Sequence, residues 1–76
     1  MSIDNFSAEF ADAIEVPPET VTGSTVFKDL EIWDSLAILV VIAMVDATYD
    51  VAITGDDLKN TSTVAELHQI VLSRSK

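Results

Sequence analysis

The chain contains no cysteine, only two glycines and two prolines in 76 residues, and four basic side chains against thirteen acidic ones. Without cysteine there is no disulfide framework and no thiolate metal centre. The basic residues Lys28, Lys59, Arg74 and Lys76 are scattered and build no cationic patch. A net charge of −9 repels nucleic acid and anionic membranes, which bind through clustered Lys and Arg, and steers the chain toward basic partner surfaces instead. Long apolar runs are missing too. The longest, Leu36 to Val45, has ten residues, well short of the ~20 that cross a bilayer, so no membrane span is expected. No basic segment followed by an apolar one opens the chain, so a cytoplasmic location is expected.

What is present is a chain 49% hydrophobic, too apolar for a disordered acidic tail. Its length suits one small domain over residues 1–76 and is too short for a doubly wound nucleotide-binding fold. Such a chain buries only about 60% of its unfolded surface, so it depends on one compact core. We find no internal repeat.

Periodicity predicts helices. Phe6, Phe10 and Ile14, with Ala13 beside them, mark a first helix from about Asp4 to Glu15, capped by Ser2 or Asp4 and stopped by Pro17-Pro18. A long connection follows to Trp33. It must be pinned to the core, and Val21, Val26, Phe27, Leu30, Ile32 and Trp33 are the expected anchors, with a short helical turn near Val26 to Leu30. The second helix is expected from Ser35 to about Tyr49 with Asp34 as N-cap, and the third, brief one near Gly55 to Lys59. The fourth starts at Thr63, where Thr63-Val64-Ala65-Glu66 fits a capping box; Val64, Leu67, Ile70 and Val71 are its apolar stripe. The tail Ser73 to Lys76 is expected to fray. Val51-Ala52-Ile53 is extended but has no strand to pair with. The expected fold is all-α, a small four-helix bundle with a short third helix.

The second helix is apolar all round. Ile38, Val41, Ile42, Val45 and Tyr49 form a core face, and Leu36, Val40, Ala43 and Ala47, flanked by Leu39, lie opposite; Asp46 is its only charge. Either neighbours cover both faces, or the outer face, Leu36, Leu39, Val40, Ala43 and Ala47, docks partners.

At its start, Ser35 places a hydroxyl where free backbone N–H groups and the positive end of the helix dipole would welcome a phosphate. Read from the tripeptide alone, Asp34 or Ser35 simply caps the helix, the commonest job of these residues. A catalytic nucleophile would need a neighbouring base. The one histidine, His68, lies on the fourth helix and suits surface or packing duty, and no Gly-x-Ser-x-Gly turn is present. Asp56-Asp57 and the pair Asp46, Asp50 lack calcium-loop spacing and read as solvated charge. No catalytic residue and no metal ligand is expected.

The order Phe27-Lys28-Asp29-Leu30, Trp33-Asp34-Ser35-Leu36, an apolar helix, Tyr49-Asp50-Val51, Ile53, Asp56-Asp57-Leu58 and Thr61 to Leu67 resembles the acyl carrier proteins, the phosphopantetheine-binding carriers, over essentially the whole chain. The resemblance implies that a phosphopantetheinyl transferase esterifies Ser35, between Asp34 and Leu36, with a phosphopantetheine arm from coenzyme A. The arm's thiol then holds an acyl group as a thioester for acyl-loading, ketosynthase-type or acyltransferase enzymes. It also implies a mobile third helix and no enzymatic activity of the chain itself. An interior lined by Ile38, Ile42, Tyr49, Ile53 and Leu67 is a candidate shelter for an acyl chain.

The chain departs from the family's pattern in places. Ile32-Trp33 stands where many members have glycine, and Trp33 either anchors the loop or meets partners. Ala37, Val40 and Ala47 stand where carriers of ordinary fatty-acid synthesis usually have acids. Asp34 before the serine, rather than His, points to acyl rather than aminoacyl cargo. The expectation is a monomeric stand-alone carrier of a specialised pathway, polyketide-like, aryl or unusual lipid. The alternatives are a housekeeping fatty-acid carrier and an acidic helical interaction protein that carries nothing.

Overall fold

A computed structural model describes residues 2–75. Four α-helices form the fold: α1 (Ile3–Ala13), α2 (Ser35–Tyr49), α3 (Gly55–Lys59) and α4 (Val64–Arg74). The long connection between α1 and α2 carries short 3-10 turns at Pro18–Thr20 and Phe27–Asp29. Among the described residues there is no strand, only an isolated bridge between Val26 and Thr63. The architecture is the expected all-α bundle.

Each helix starts on a side chain that accepts from its free N–H groups. Ser2 caps α1 by accepting from the Asn5 amide. Thr54 with Asp57, and Thr63 with Glu66, form capping boxes on α3 and α4. The end of α1 is also closed. The amides of Glu15 and Val16 donate to Asp12 and Ala11 carbonyls at 3.1 and 3.0 Å, the paired bonds of a Schellman turn. That turn asks for glycine, yet Glu15 occupies it at φ 60°. The first helix therefore ends two residues before the expected Glu15, because Glu15 is already left-handed.

The core is formed by Phe6 and Phe10 of α1, Phe27 of the connection, Val41 and Val45 of α2, Leu58 of α3, and Val64, Leu67 and Val71 of α4, all at most 1% exposed. On α1, Ala11 and Ser7 are buried, whereas Ala13 is only half-buried. The stripe is thus wider than a four-residue period suggests.

The connection is pinned as its length requires, though by fewer anchors than expected. Val21 and Phe27 are buried and Leu30 and Trp33 pack against the core, but Val26 and Ile32 are 39% and 41% exposed. Its backbone does part of the pinning. Gly23 and Thr25 carbonyls accept from the amides of Ala65 and Val64 at 2.8 and 3.1 Å. A Cβ on Gly23 would meet Ile3 Cγ1 at 3.0 Å, so glycine suits this close approach.

The tail expected to fray is instead helical through Arg74, and Lys76 lies outside the described residues. Arg74 reaches back and donates to both carboxylate oxygens of Asp57 at 2.6 and 2.9 Å, and to the Ala52 carbonyl at 3.2 Å. This fork joins the end of α4 to the start of α3.

Candidate functional site

The start of α2 differs from an ordinary capped terminus in what it leaves open. Asp34 is the cap. Its Oδ1 accepts from the Ala37 amide at 2.8 Å and its carbonyl from the Ile38 amide at 3.1 Å. That leaves the amides of Ser35 and Leu36 without a protein acceptor among the described residues. Ser35 is exposed, and its hydroxyl makes no hydrogen bond among the described residues. Asp34 therefore does the capping, and the serine hydroxyl is spare.

The approach to this site is held by aromatic packing. The Trp33 ring stacks on Phe10 at 6.0 Å and 11°, and meets Phe27 at 4.8 Å and 59°. Trp33 thus anchors the loop, fixing the residue two positions before Ser35 on the core.

The five apolar residues expected to face outward divide. Leu36 and Leu39 are 67% and 64% exposed, and Ala43 and Ala47 are exposed as well. Val40 is half-buried, less open than the other four. Ala37 is only 6% exposed, so an acid there would be buried rather than displayed. The connection before α2 and the end of α1 close over this side of the helix, and helical phase alone does not reveal that cover. An open cleft of about 600 Å³ remains between them, lined by Ala13, Ile14 and Glu15 at the end of α1, by Ile32, and by Asp34, Leu36, Ala37 and Val40 of α2. It adjoins Ser35 and no local motif announced it.

The shelter expected among Ile38, Ile42, Tyr49, Ile53 and Leu67 does not coincide with this cleft. Ile53 and Leu67 are 4% and 0% exposed core residues, and Ile38, Ile42 and Tyr49 pack against that core.

The other candidate groups are committed elsewhere. His68 is buried, with its ring 5.1 Å from Phe6. Among the described residues its Nε2 has no partner, and burial holds its pKa below the ordinary imidazole value. Asp57 is held by Arg74 and by the Thr54 amide, which keep its carboxyl well below the usual range. Among the described residues no three His, Cys, Asp or Glu side chains gather as a metal site. Among the described residues no helix is long and apolar enough to cross a membrane.

A hydroxyl without a partner beside two unpaired amides at a positive helix end suits a covalently bound phosphate, whose oxygens accept from such N–H groups. The residues present therefore fit a phosphopantetheine group. Searches of curated proteins and of solved structures return no match. The family pattern described as "Phosphopantetheine attachment site" matches residues 6–71. The chain accordingly belongs to the phosphopantetheine-attachment family of acyl carrier proteins, whose members bear a covalently attached phosphopantetheine and are carriers rather than enzymes.

Proposed function

We propose that Ser35 is the attachment residue and that the chain works as a monomeric, stand-alone, cytoplasmic carrier, one unit over residues 1–76. The reading rests on one observation, the exposed and unbonded Ser35 hydroxyl at the open start of α2. A phosphopantetheinyl transferase would join the Ser35 oxygen to the pantetheine-side phosphorus of coenzyme A. The adenosine bisphosphate leaves, and the hydroxyl proton passes to the transferase. The arm then carries acyl groups as thioesters, and its tether gives each docked enzyme a high local concentration of cargo.

The partners are acyl-loading, ketosynthase-type or acyltransferase enzymes of a specialised pathway, polyketide-like, aryl or unusual lipid. Support comes from the face they would meet. Leu36, Leu39, Ala43 and Ala47 are exposed while Asp46 is the only charge on α2, so packing rather than ion pairing would grip the helix.

Intact mass after incubation with coenzyme A and a broad-specificity transferase tests the attachment. One phosphopantetheine is gained by the native chain and none by Ser35→Ala; a gain retained in Ser35→Ala overturns the assignment. Leu39→Glu tests the docking face. Loading by cognate enzymes should fall, whereas unchanged loading that collapses in high salt favours a housekeeping fatty-acid carrier read by its charge.

A further inference from the structure

We propose that the cleft between the end of α1 and the start of α2 receives an arginine side chain of the phosphopantetheinyl transferase, with Glu15 as the residue that selects it; the proposal rests on Ser35 being the attachment residue. Three observations carry it.

The first is the chemistry of the walls. Ile14, Ile32, Leu36 and Val40 are apolar, and Glu15 and Asp34 are the ionisable residues of the cleft, both acidic. Among the described residues neither carboxylate pairs with a Lys or Arg. Apolar walls beside free carboxylates suit a side chain with an alkyl stem and a cationic head. The planar fork of arginine matches a carboxylate better than an ammonium does. A net charge of −9 favours the same sign of partner.

The second is the backbone at Glu15. This residue stands at φ 60° in the turn that closes α1, a position that glycine fills without strain. A side chain held there at the edge of a cleft is the kind of strain that gathers at binding sites. Nor does α2 offer a substitute. Its only charge, Asp46, does not line the cleft, so Glu15 and Asp34 supply the negative charge from outside that helix.

The third is position, which selects among partners. Asp34, Leu36 and Ala37 line the cleft and flank Ser35 in the chain. Enzymes that act on the thioester meet it at the far end of the arm. The transferase must bring a phosphorus to the Ser35 oxygen itself, so it is the partner that has to cover the residues beside that oxygen.

The test is the steady-state rate of transfer by the phosphopantetheinyl transferase of the native host, with coenzyme A in excess and the carrier varied. Intact mass on the native chain and Ser35→Ala comes first, so failure of attachment is read apart from failure of docking. Glu15→Gln should raise the KM for the carrier about five-fold, the upper end for a solvent-exposed ion pair. It should leave kcat unchanged and make KM less sensitive to salt. Glu9→Gln removes the same unit of charge from an exposed position of α1 outside the cleft and should leave KM at the native value. Glu15→Gly should raise KM as Glu15→Gln does while the fold becomes more stable, a combination that damage to the fold does not produce. With the arm already attached, Glu15→Gln should accept acyl groups from a loading enzyme at the native rate. An unchanged KM in Glu15→Gln overturns the proposal. An equal rise in Glu9→Gln does so too, since net charge alone would then explain it. Slowed loading of Glu15→Gln after attachment overturns the assignment to the transferase.

Discussion

Two helix starts in this small protein, those of α2 and α4, use the same chemistry to opposite ends. At α4 the first four amides are all satisfied: Val64 and Ala65 by the Thr25 and Gly23 carbonyls, Glu66 by the Thr63 hydroxyl and Leu67 by the Thr63 carbonyl. The Glu66 carboxylate in turn accepts from the Ser62 amide at 2.6 Å. At α2 the first two amides are left open among the described residues, beside a hydroxyl that nothing there uses, and the cap satisfies the next two. A hydroxyl at a helix start is therefore structural or available according to which residue does the capping. Thr63 is the cap of its helix; Ser35 stands one place after the cap of its own.

The largest change to this contrast comes from removing what holds the open end in place. Trp33→Ala takes away the ring stacked on Phe10 and tilted against Phe27. Trp33 is only half-buried, so a loss of about 2 kcal/mol is expected, below the 3–5 kcal/mol of a fully buried ring. Chemical denaturation measures it, and transferase rates should fall in parallel because Ser35 is no longer presented. An equal loss of stability with unchanged modification would show that the α2 start needs no anchor.

The paired hydroxyl substitutions sharpen the contrast next. Thr63→Ala removes a cap and should cost about 1 kcal/mol, a fall of roughly 4–8 °C in Tm for a domain of this size. Ser35→Ala removes a hydroxyl with no bond and should stay within about 0.5 kcal/mol of the native chain. Calorimetry on both decides it. Equal costs would erase the distinction between the two starts.

Smaller again is Glu15→Gly. Glu15 holds a left-handed conformation at φ 60°, which costs an L-residue with a side chain about 1 kcal/mol or somewhat more. Glycine adopts it freely but loses more entropy on folding. The net expectation is a gain of about 0.5 kcal/mol, seen as a raised denaturation midpoint.

Much of the α2 site was legible because capping is local. Asp34, and Thr63 with Glu66, announce two helix starts within a few residues, and the order of motifs around Trp33-Asp34-Ser35-Leu36 marks the family. The depth of Val40 and Ala37 was not legible. Phase places them on α2, but only the return of the Ile32–Asp34 segment and the end of α1 decides what covers them. The Arg74–Asp57 fork escaped for the same reason. The two residues lie 17 positions apart, and a basic residue near a chain end suggests only a favourable helix C-terminus.

pH separates two further groups by the window in which each contribution is lost, the sign being the same for both. Burial lowers the pKa of His68 in the folded protein. Its contribution is complete above the unfolded value near 6.5 and is lost as pH falls, because the unfolded chain takes up the proton more readily. His68→Gln should flatten that part of the stability profile measured by urea titration. Asp57 is also depressed, by its hydrogen bonds with Arg74 and Thr54. Its contribution is full above the ordinary carboxylate value of 3.8 and disappears only as pH falls below that. The two windows are therefore distinct on one titration.

The fork itself should give the smallest change in stability, since Arg74 is exposed and water and salt screen it. Arg74→Gln removes the bidentate pairing that α2's start has no counterpart for, and its effect belongs to α3. The expected outcome is faster amide exchange at Leu58 and Asn60, whose N–H groups donate to Thr54 and Asp56 carbonyls within α3, with little change in Tm. Exchange at Val64 and Ala65 should not change, because the Thr25 and Gly23 carbonyls hold them and take no part in the fork. Equal acceleration at both places would mean that α3 and the α4 start open together, and the closed end would then owe its stillness to the fork rather than to its own cap.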